Sequence, residues 1–163
     1  MDQVELLTAI IEASIALIGF SGLVIVLGRR SSGEWSAADK TRLTVLLATG
    51  FILLACTLMA LILLSAGLSH TIVWALSSVV WVVLVIPVAV WVVSRVVRDP
   101  AEPTGGLTYF LVANLAVIAA GGAVQVANAA YLAEFWPFFL ALAVLLLTGV
   151  TQFFRLLWFG LFR

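Results

Sequence analysis

Charged residues are scarce in this chain of 163 residues. They make up 10% of it, whereas a soluble domain carries about 25%. Hydrophobic residues make up 64%, and a soluble protein of this size has too little interior to bury so many. The composition therefore excludes an ordinary soluble domain and predicts a chain that lies mostly in hydrocarbon. The formal net charge is zero, which removes the electrostatic basis for binding nucleic acid.

Cysteine and histidine are almost missing. Cys56 is the only cysteine and His70 the only histidine, so an intrachain disulfide is excluded and neither residue has a partner for a metal or haem site. The chain also has no supported nucleophile–base constellation and no glycine loop of the kind that binds phosphate. We therefore expect a protein that is not an enzyme and that uses no cofactor and no metal.

Long apolar runs are what the sequence has in abundance. Five stretches reach the length of about 20 residues that a helix needs to cross a bilayer, and the connections between them are too short to form a soluble domain. The sequence therefore predicts an all-α integral membrane protein, a single domain over residues 1–163 formed by a bundle of five transmembrane helices. The predicted helices cover residues 4–27, 43–64, 72–93, 107–131 and 137–159.

The first of these segments has an alternative interpretation, because it carries Glu5 and Glu12. In that alternative the segment lies in the membrane interface and only four helices span the bilayer. Interfacial helices usually have a polar face rich in lysine and arginine, whereas this segment carries acids. Five spans are therefore the interpretation that we prefer.

The basic residues predict the orientation. With five spans, all eight lysine and arginine residues fall on one side of the membrane. Because basic residues are retained in the cytoplasm, we expect an N-terminus outside and a C-terminus inside the cytoplasmic (inner) membrane. Six of them belong to two connections and are expected to fix this topology and to contact lipid headgroups. These are Arg29, Arg30, Lys40, Arg42, Arg95 and Arg98.

Glu12 is the strongest candidate for a functional residue. It lies roughly 12–15 Å along the first predicted helix, where an ionised carboxylate must face protein or water, or else take up a proton. One interpretation is an ion or proton site, and the other is a protonated acid that joins two helices by a hydrogen bond. Glu5 and Gly19 share its face at spacings of seven residues, with Gly22 nearby, and the small residues permit close helix approach.

The fourth predicted helix carries a second polar stripe. Asn114, Gly121, Gln125 and Asn128 fall on one helical face, and Gly122 adds another small residue beside them. Amides inside a membrane must find hydrogen-bond partners. We expect these amides to form a polar cluster with the two acids of the first helix, or to line one water-filled path with them. Hydrogen bonding between helices is the simpler role for the amides alone.

These features leave more than one function open. The first hypothesis is an ion or proton channel, or a small transporter, with Glu12 near the pathway. Five helices enclose little space, so this hypothesis requires a homo-oligomer in which Glu12 forms a ring. The alternatives are a non-catalytic membrane subunit or assembly protein that binds another membrane protein, and a membrane-disrupting effector. The expected partners are membrane lipid, further copies of the chain and, in the second case, another membrane protein.

Overall fold

Helices make up almost the whole of the part of the chain that the computed structural model describes. The described residues are 2–31, 37–98 and 105–161, and their side chains are described over 2–26, 40–95, 98 and 112–157. None of the described residues lies in a strand. The predicted all-α fold is therefore confirmed for this part of the chain.

Five long α-helices follow one another along the chain, and a short π-helix extends the fourth. The α-helices are α1 (Gln3–Ser31), α2 (Ala37–Ser65), α3 (His70–Arg98), α4 (Gly105–Ala127) and α5 (Phe135–Leu161), and the π-helix is Asn128–Leu132. Each helical segment extends beyond its predicted apolar run, and in α1, α2 and α3 the added residues are largely polar or charged. The π-helix was not predicted.

All five helices contain a stretch that is long and apolar enough to cross a membrane. The stretch in α1 has a mean hydropathy of 2.3 despite its two acids, which is higher than the 1.6 of the stretch in α4. The number of helices suited to spanning is therefore the number predicted from the sequence. These stretches are Gln3–Val26, Lys40–Ser65, His70–Arg95, Val112–Leu132 and Phe135–Leu157.

The chain divides into two compact units. Unit 1 comprises Met1–Leu61 and Leu142–Arg163, and unit 2 comprises Ile62–Ala141. Unit 1 thus contains α1, most of α2 and the larger part of α5. Unit 2 contains α3, α4, the π-helix and the adjoining ends of α2 and α5.

Leucines and two glycines hold the helices of unit 1 together. The buried centre of its main cluster is Leu17, Val24, Leu46 and Leu156. A Cβ atom added to Gly149 would lie 2.6 Å from Leu17 Cδ2, and one added to Gly50 would lie 2.7 Å from Ile18 Cγ1. A side chain at either position would therefore force a neighbouring side chain to shift, and both glycines mark places where the helices approach closely.

Aromatic packing and turn chemistry organise unit 2. Trp74 of α3 is buried against Phe135 and Phe138, with ring centroids 4.9 and 6.0 Å away. The turn between α2 and α3 contains Gly67 at a φ of 71°, a conformation that glycine adopts without strain. Ala133 follows the π-helix at a φ of 51° and begins the turn that leads into α5.

Candidate functional site

Glu12 lies on the outward side of α1. The buried positions of this helix recur every three or four residues and define its inner side, which excludes position 12. Glu12 itself is exposed. It lies nine residues beyond the start of the span at Gln3, which is about 14 Å at 1.5 Å per residue. The structure therefore presents a carboxylate to the surroundings of the chain well inside an apolar span.

The outward side of α1 around Glu12 is small and polar. We define the α1 face as the exposed residues that share this side of the helix, namely Glu5, Thr8, Glu12, Ala16 and Gly19. A Cβ atom added at Gly19 would have no atom within 4 Å, and the same holds for exposed Gly22 to one side of the face. Nothing in the described chain therefore fills the space in front of these two glycines.

The hydrogen bonds on the α1 face are local. Glu5 Oε2 accepts from the backbone N–H of Asp2 at 3.3 Å, close to the start of the helix. The Thr8 hydroxyl donates to the Val4 carbonyl of its own helix at 2.9 Å. Such bonds leave the face free for contact with another molecule.

Asn128 is fully buried in unit 2 and fixes the turn between the π-helix and α5. Its Nδ2 donates to Ser78 Oγ at 2.8 Å and to the Glu134 carbonyl at 3.0 Å, while its Oδ1 accepts from the Glu134 N–H at 3.0 Å. The Ala133 N–H adds a 2.7 Å bond to the Asn128 carbonyl. The Asn128 side chain therefore joins α3, the π-helix and the start of α5.

Gln125 is also fully buried, but only half of its amide is used. Its Nε2 donates to the Pro137 carbonyl at 2.8 Å, whereas its Oε1 has no partner among the described residues. The same is true of Ser77 Oγ and Trp81 Nε1 on α3. Gly121, one turn before Gln125, lies against the Trp81 ring.

The predicted cluster of acids and amides is distributed over both units. Glu5 and Glu12 belong to unit 1, and the amide residues Asn114, Gln125 and Asn128 belong to unit 2. The bonds described above for Gln125 and Asn128 stay within unit 2, and Asn114 is half-buried on α4. A joint cluster of the acids with the amides stays a prediction.

The four predicted packing glycines differ in their surroundings. Gly121 and Gly122 meet α3, since added Cβ atoms would lie 3.5 Å from the Trp81 ring and 3.7 Å from Ile86 Cδ1. Gly19 and Gly22 face open space. Sequence reasoning missed Ser78 as the hydrogen-bond partner of Asn128 and Ser77 and Trp81 as buried polar groups of α3. It also missed Gly50 and Gly149 as contact points. The adjacent serines within an apolar run were the available signal for the polar partners.

The basic residues lie at helix ends. Lys40, Arg95 and Arg98 are exposed, and the guanidinium of Arg95 lies 5.6 Å from the centre of the Trp91 ring. Half-buried Arg42 and Arg155 are close enough for their charges to repel. Since α2 begins near Arg42 and α5 ends near Arg155, these two helix ends lie at the same end of unit 1. The side chains of Arg29 and Arg30 fall outside those described.

Metal-binding groups and similarity to known proteins give no further indication of function. Among the residues that the structure describes, no three histidine, cysteine or acidic side chains are grouped so that they could hold a metal ion. The features that remain are the α1 face and the buried polar groups of unit 2. No protein-family model, curated protein or solved structure matches the chain.

Proposed function

We propose that the protein is a homo-oligomeric channel for cations or protons in the cytoplasmic (inner) membrane, with Glu12 of each copy at the conduction path. The observation that carries this proposal is the outward exposure of Glu12 about 14 Å into a span. Placing an acidic side chain near the centre of a spanning helix costs about 2.5–3.5 kcal/mol in membrane insertion. A face that carries this carboxylate is therefore better covered by protein or water than by lipid tails.

A second copy of the chain is a suitable molecule to cover the face. Ala16 and Gly19 flank Glu12 on it, and small residues permit the close approach by which membrane helices associate. With the orientation that we propose, the outer half of the membrane contains no lysine or arginine of this chain. An ion pair with a basic residue at this depth is therefore not available to Glu12 within the oligomer.

In a symmetric oligomer, the Glu12 side chains of the copies form a ring. Copies arranged around an axis near the α1 face bring their Glu12 carboxylates together, and rings of acidic side chains select cations in channels. Acidic side chains inside a membrane also form proton paths, so the same ring suits protons as well as cations. The basic ends of the helices, including Arg42 and Arg155, lie in the cytoplasm in this proposal and hold the orientation.

Ion flux into liposomes tests the proposal. Purified protein is reconstituted, and proton and potassium flux are measured under an imposed membrane potential for the wild type, Glu12→Gln and Glu5→Gln. We expect flux through the wild type and a decrease of at least about tenfold in Glu12→Gln, which corresponds to about 1.4 kcal/mol on the barrier. The matched control Glu5→Gln removes an acid near the end of the helix and is expected to change the flux much less.

Two results would overturn the proposal. One is a wild type that carries no flux for any cation, and the other is a Glu12→Gln variant that conducts like the wild type. A silent wild type that co-purifies in fixed ratio with another membrane protein would instead favour the non-catalytic subunit, which would use the same α1 face.

A further inference from the structure

Unit 2 contains an apolar groove between the second half of α3 and the neighbouring part of α4. Its walls come from α3 between Ile86 and Val93 and from α4 between Leu115 and Ala119, and Arg98 lies at one end. The groove has a volume of about 600 Å³. It is therefore an open groove on the surface between the two helices.

The spacing of α3 and α4 explains why the groove exists. Near the π-helix the two elements are held together by the 2.8 Å bond from Asn128 to Ser78. Ile86 then packs against α4 beside Gly122, where an added Cβ atom would lie 3.7 Å from Ile86 Cδ1. Beyond this point the walls contain the short side chains Ala89 and Ala119, and no side chain among those described fills the space between them.

The groove has a charged end and an apolar body. The Ser94 hydroxyl donates to the Trp91 carbonyl at 2.7 Å, so its proton is already used. Arg98 is exposed at the end of the groove, whereas Arg95 is not part of its lining and lies against the Trp91 ring. A guanidinium presents paired N–H donors that match the oxygens of a phosphate group.

The dimensions suit a lipid tail. From Ile86 to Arg98 the helix rises about 18 Å, at 1.5 Å per residue. The hydrocarbon of one leaflet is about 15 Å thick, half of a bilayer core. An acyl chain that follows the groove would therefore bring its headgroup to the level of Arg98.

We propose that this groove binds one anionic phospholipid, with an acyl chain along the apolar walls and the phosphate on Arg98. Basic sites between membrane helices on the cytoplasmic side are known to favour anionic headgroups. The apolar walls favour a phospholipid over free phosphate, since a free ion would leave them uncovered. Lipid binding at this groove does not depend on ion conduction by the protein.

Native mass spectrometry of the purified protein tests this site. The protein in detergent is mixed with phosphatidylglycerol or phosphatidylcholine, and bound lipid is counted for the wild type and four variants. Arg98→Gln removes the charge, and Ala119→Leu fills the groove. Lys40→Gln removes an exposed charge that is not part of the groove, and Ala120→Leu adds the same bulk at an exposed position outside its lining.

The expected result has two parts. The wild type prefers phosphatidylglycerol, and Arg98→Gln lowers that preference by about fivefold, the effect of one basic residue near a membrane surface. Ala119→Leu lowers binding of both lipids, and Ala120→Leu behaves as the wild type does. Lys40→Gln removes a headgroup contact outside the groove and lowers the preference for phosphatidylglycerol less than Arg98→Gln does. Equal binding of the two lipids by the wild type, equal losses in Arg98→Gln and Lys40→Gln, or unchanged binding in Ala119→Leu would each overturn the proposal.

Discussion

The two units satisfy their buried polar groups in different ways. In unit 1 the buried hydroxyls of Ser14 and Ser21 donate to carbonyls four residues earlier in their own helix, at 2.6 and 2.7 Å. In unit 2 the side chains of Gln125 and Asn128 join different elements. The serine bonds of unit 1 thus stay within one helix, and the buried Gln152 of that unit has an amide oxygen with no partner among the described residues, whereas the amide bonds of unit 2 join separate elements. Glu12 differs from the buried hydroxyls of unit 1, because its side chain is directed outward.

Removal of the Asn128 side chain is the largest test of the hydrogen bonding in unit 2. Asn128→Ala loses three hydrogen bonds, and polar contacts in membrane proteins are worth about 0.6–2 kcal/mol each. We expect the free energy of unfolding to fall by about 2–4 kcal/mol, measured by titration with a denaturing detergent. Ser78→Ala removes one of the three bonds and is expected to have about a third of the effect. Equal and small losses of unfolding free energy in both variants would show that hydrogen bonding does not distinguish unit 2 from unit 1.

The next effect concerns the close packing of unit 1. Gly149→Ala places a methyl group 2.6 Å from Leu17 Cδ2 and 3.0 Å from Thr49 Cγ2, and overpacking typically costs about 1–3 kcal/mol. Because the end of Leu17 can shift and alanine favours a helix, we expect a net loss of about 1 kcal/mol in the same unfolding titration. The control Gly121→Ala meets Trp81 at an ordinary contact distance of 3.5 Å and should leave the stability unchanged or raise it. A loss as large in the control would contradict the account.

A substitution at Gly19 tests assembly of copies separately from folding of the single chain. Gly19→Leu adds bulk where no atom lies within 4 Å, so we expect the unfolding free energy of the single chain to change by less than about 0.5 kcal/mol, as for most surface substitutions. On the α1 face, however, the larger side chain should prevent close approach of a second copy and weaken self-association in analytical ultracentrifugation. Unchanged self-association would show that copies do not meet at this face.

Ser14 should give the smallest effect. Its hydroxyl bonds only to the Ile10 carbonyl of its own helix, and such bonds contribute little to helix association. We expect Ser14→Ala to change the free energy of unfolding by less than about 0.5 kcal/mol, since alanine is also the better helix former. A loss near that of Asn128→Ala would mean that unit 1 depends on its polar groups as unit 2 does.

The helices were predictable from the sequence, and their inner faces were not. Apolar runs define five helices because length and hydropathy are sufficient for that purpose. The depth of Glu12 followed from counting residues, but its outward direction did not, because a helix that is apolar on all sides gives no periodic indication of its buried side. The hydrogen-bond partners of Asn128 could not be predicted for a related reason. The π-helix and the turn at Ala133 are tied to bonds between elements distant in sequence, and local patterns do not record these.

Cross-linking at position 16 is the most direct test of the central claim that the α1 face meets another copy. In a protein with Cys56→Ala, a cysteine replaces exposed Ala16, or exposed Phe51 of α2 as the control, and membranes are treated with a bismaleimide that spans about 10 Å, the distance between packed helices. The account predicts covalent dimers from position 16 and few from position 51. Absence of dimers at position 16, or equal yields at both positions, would contradict it.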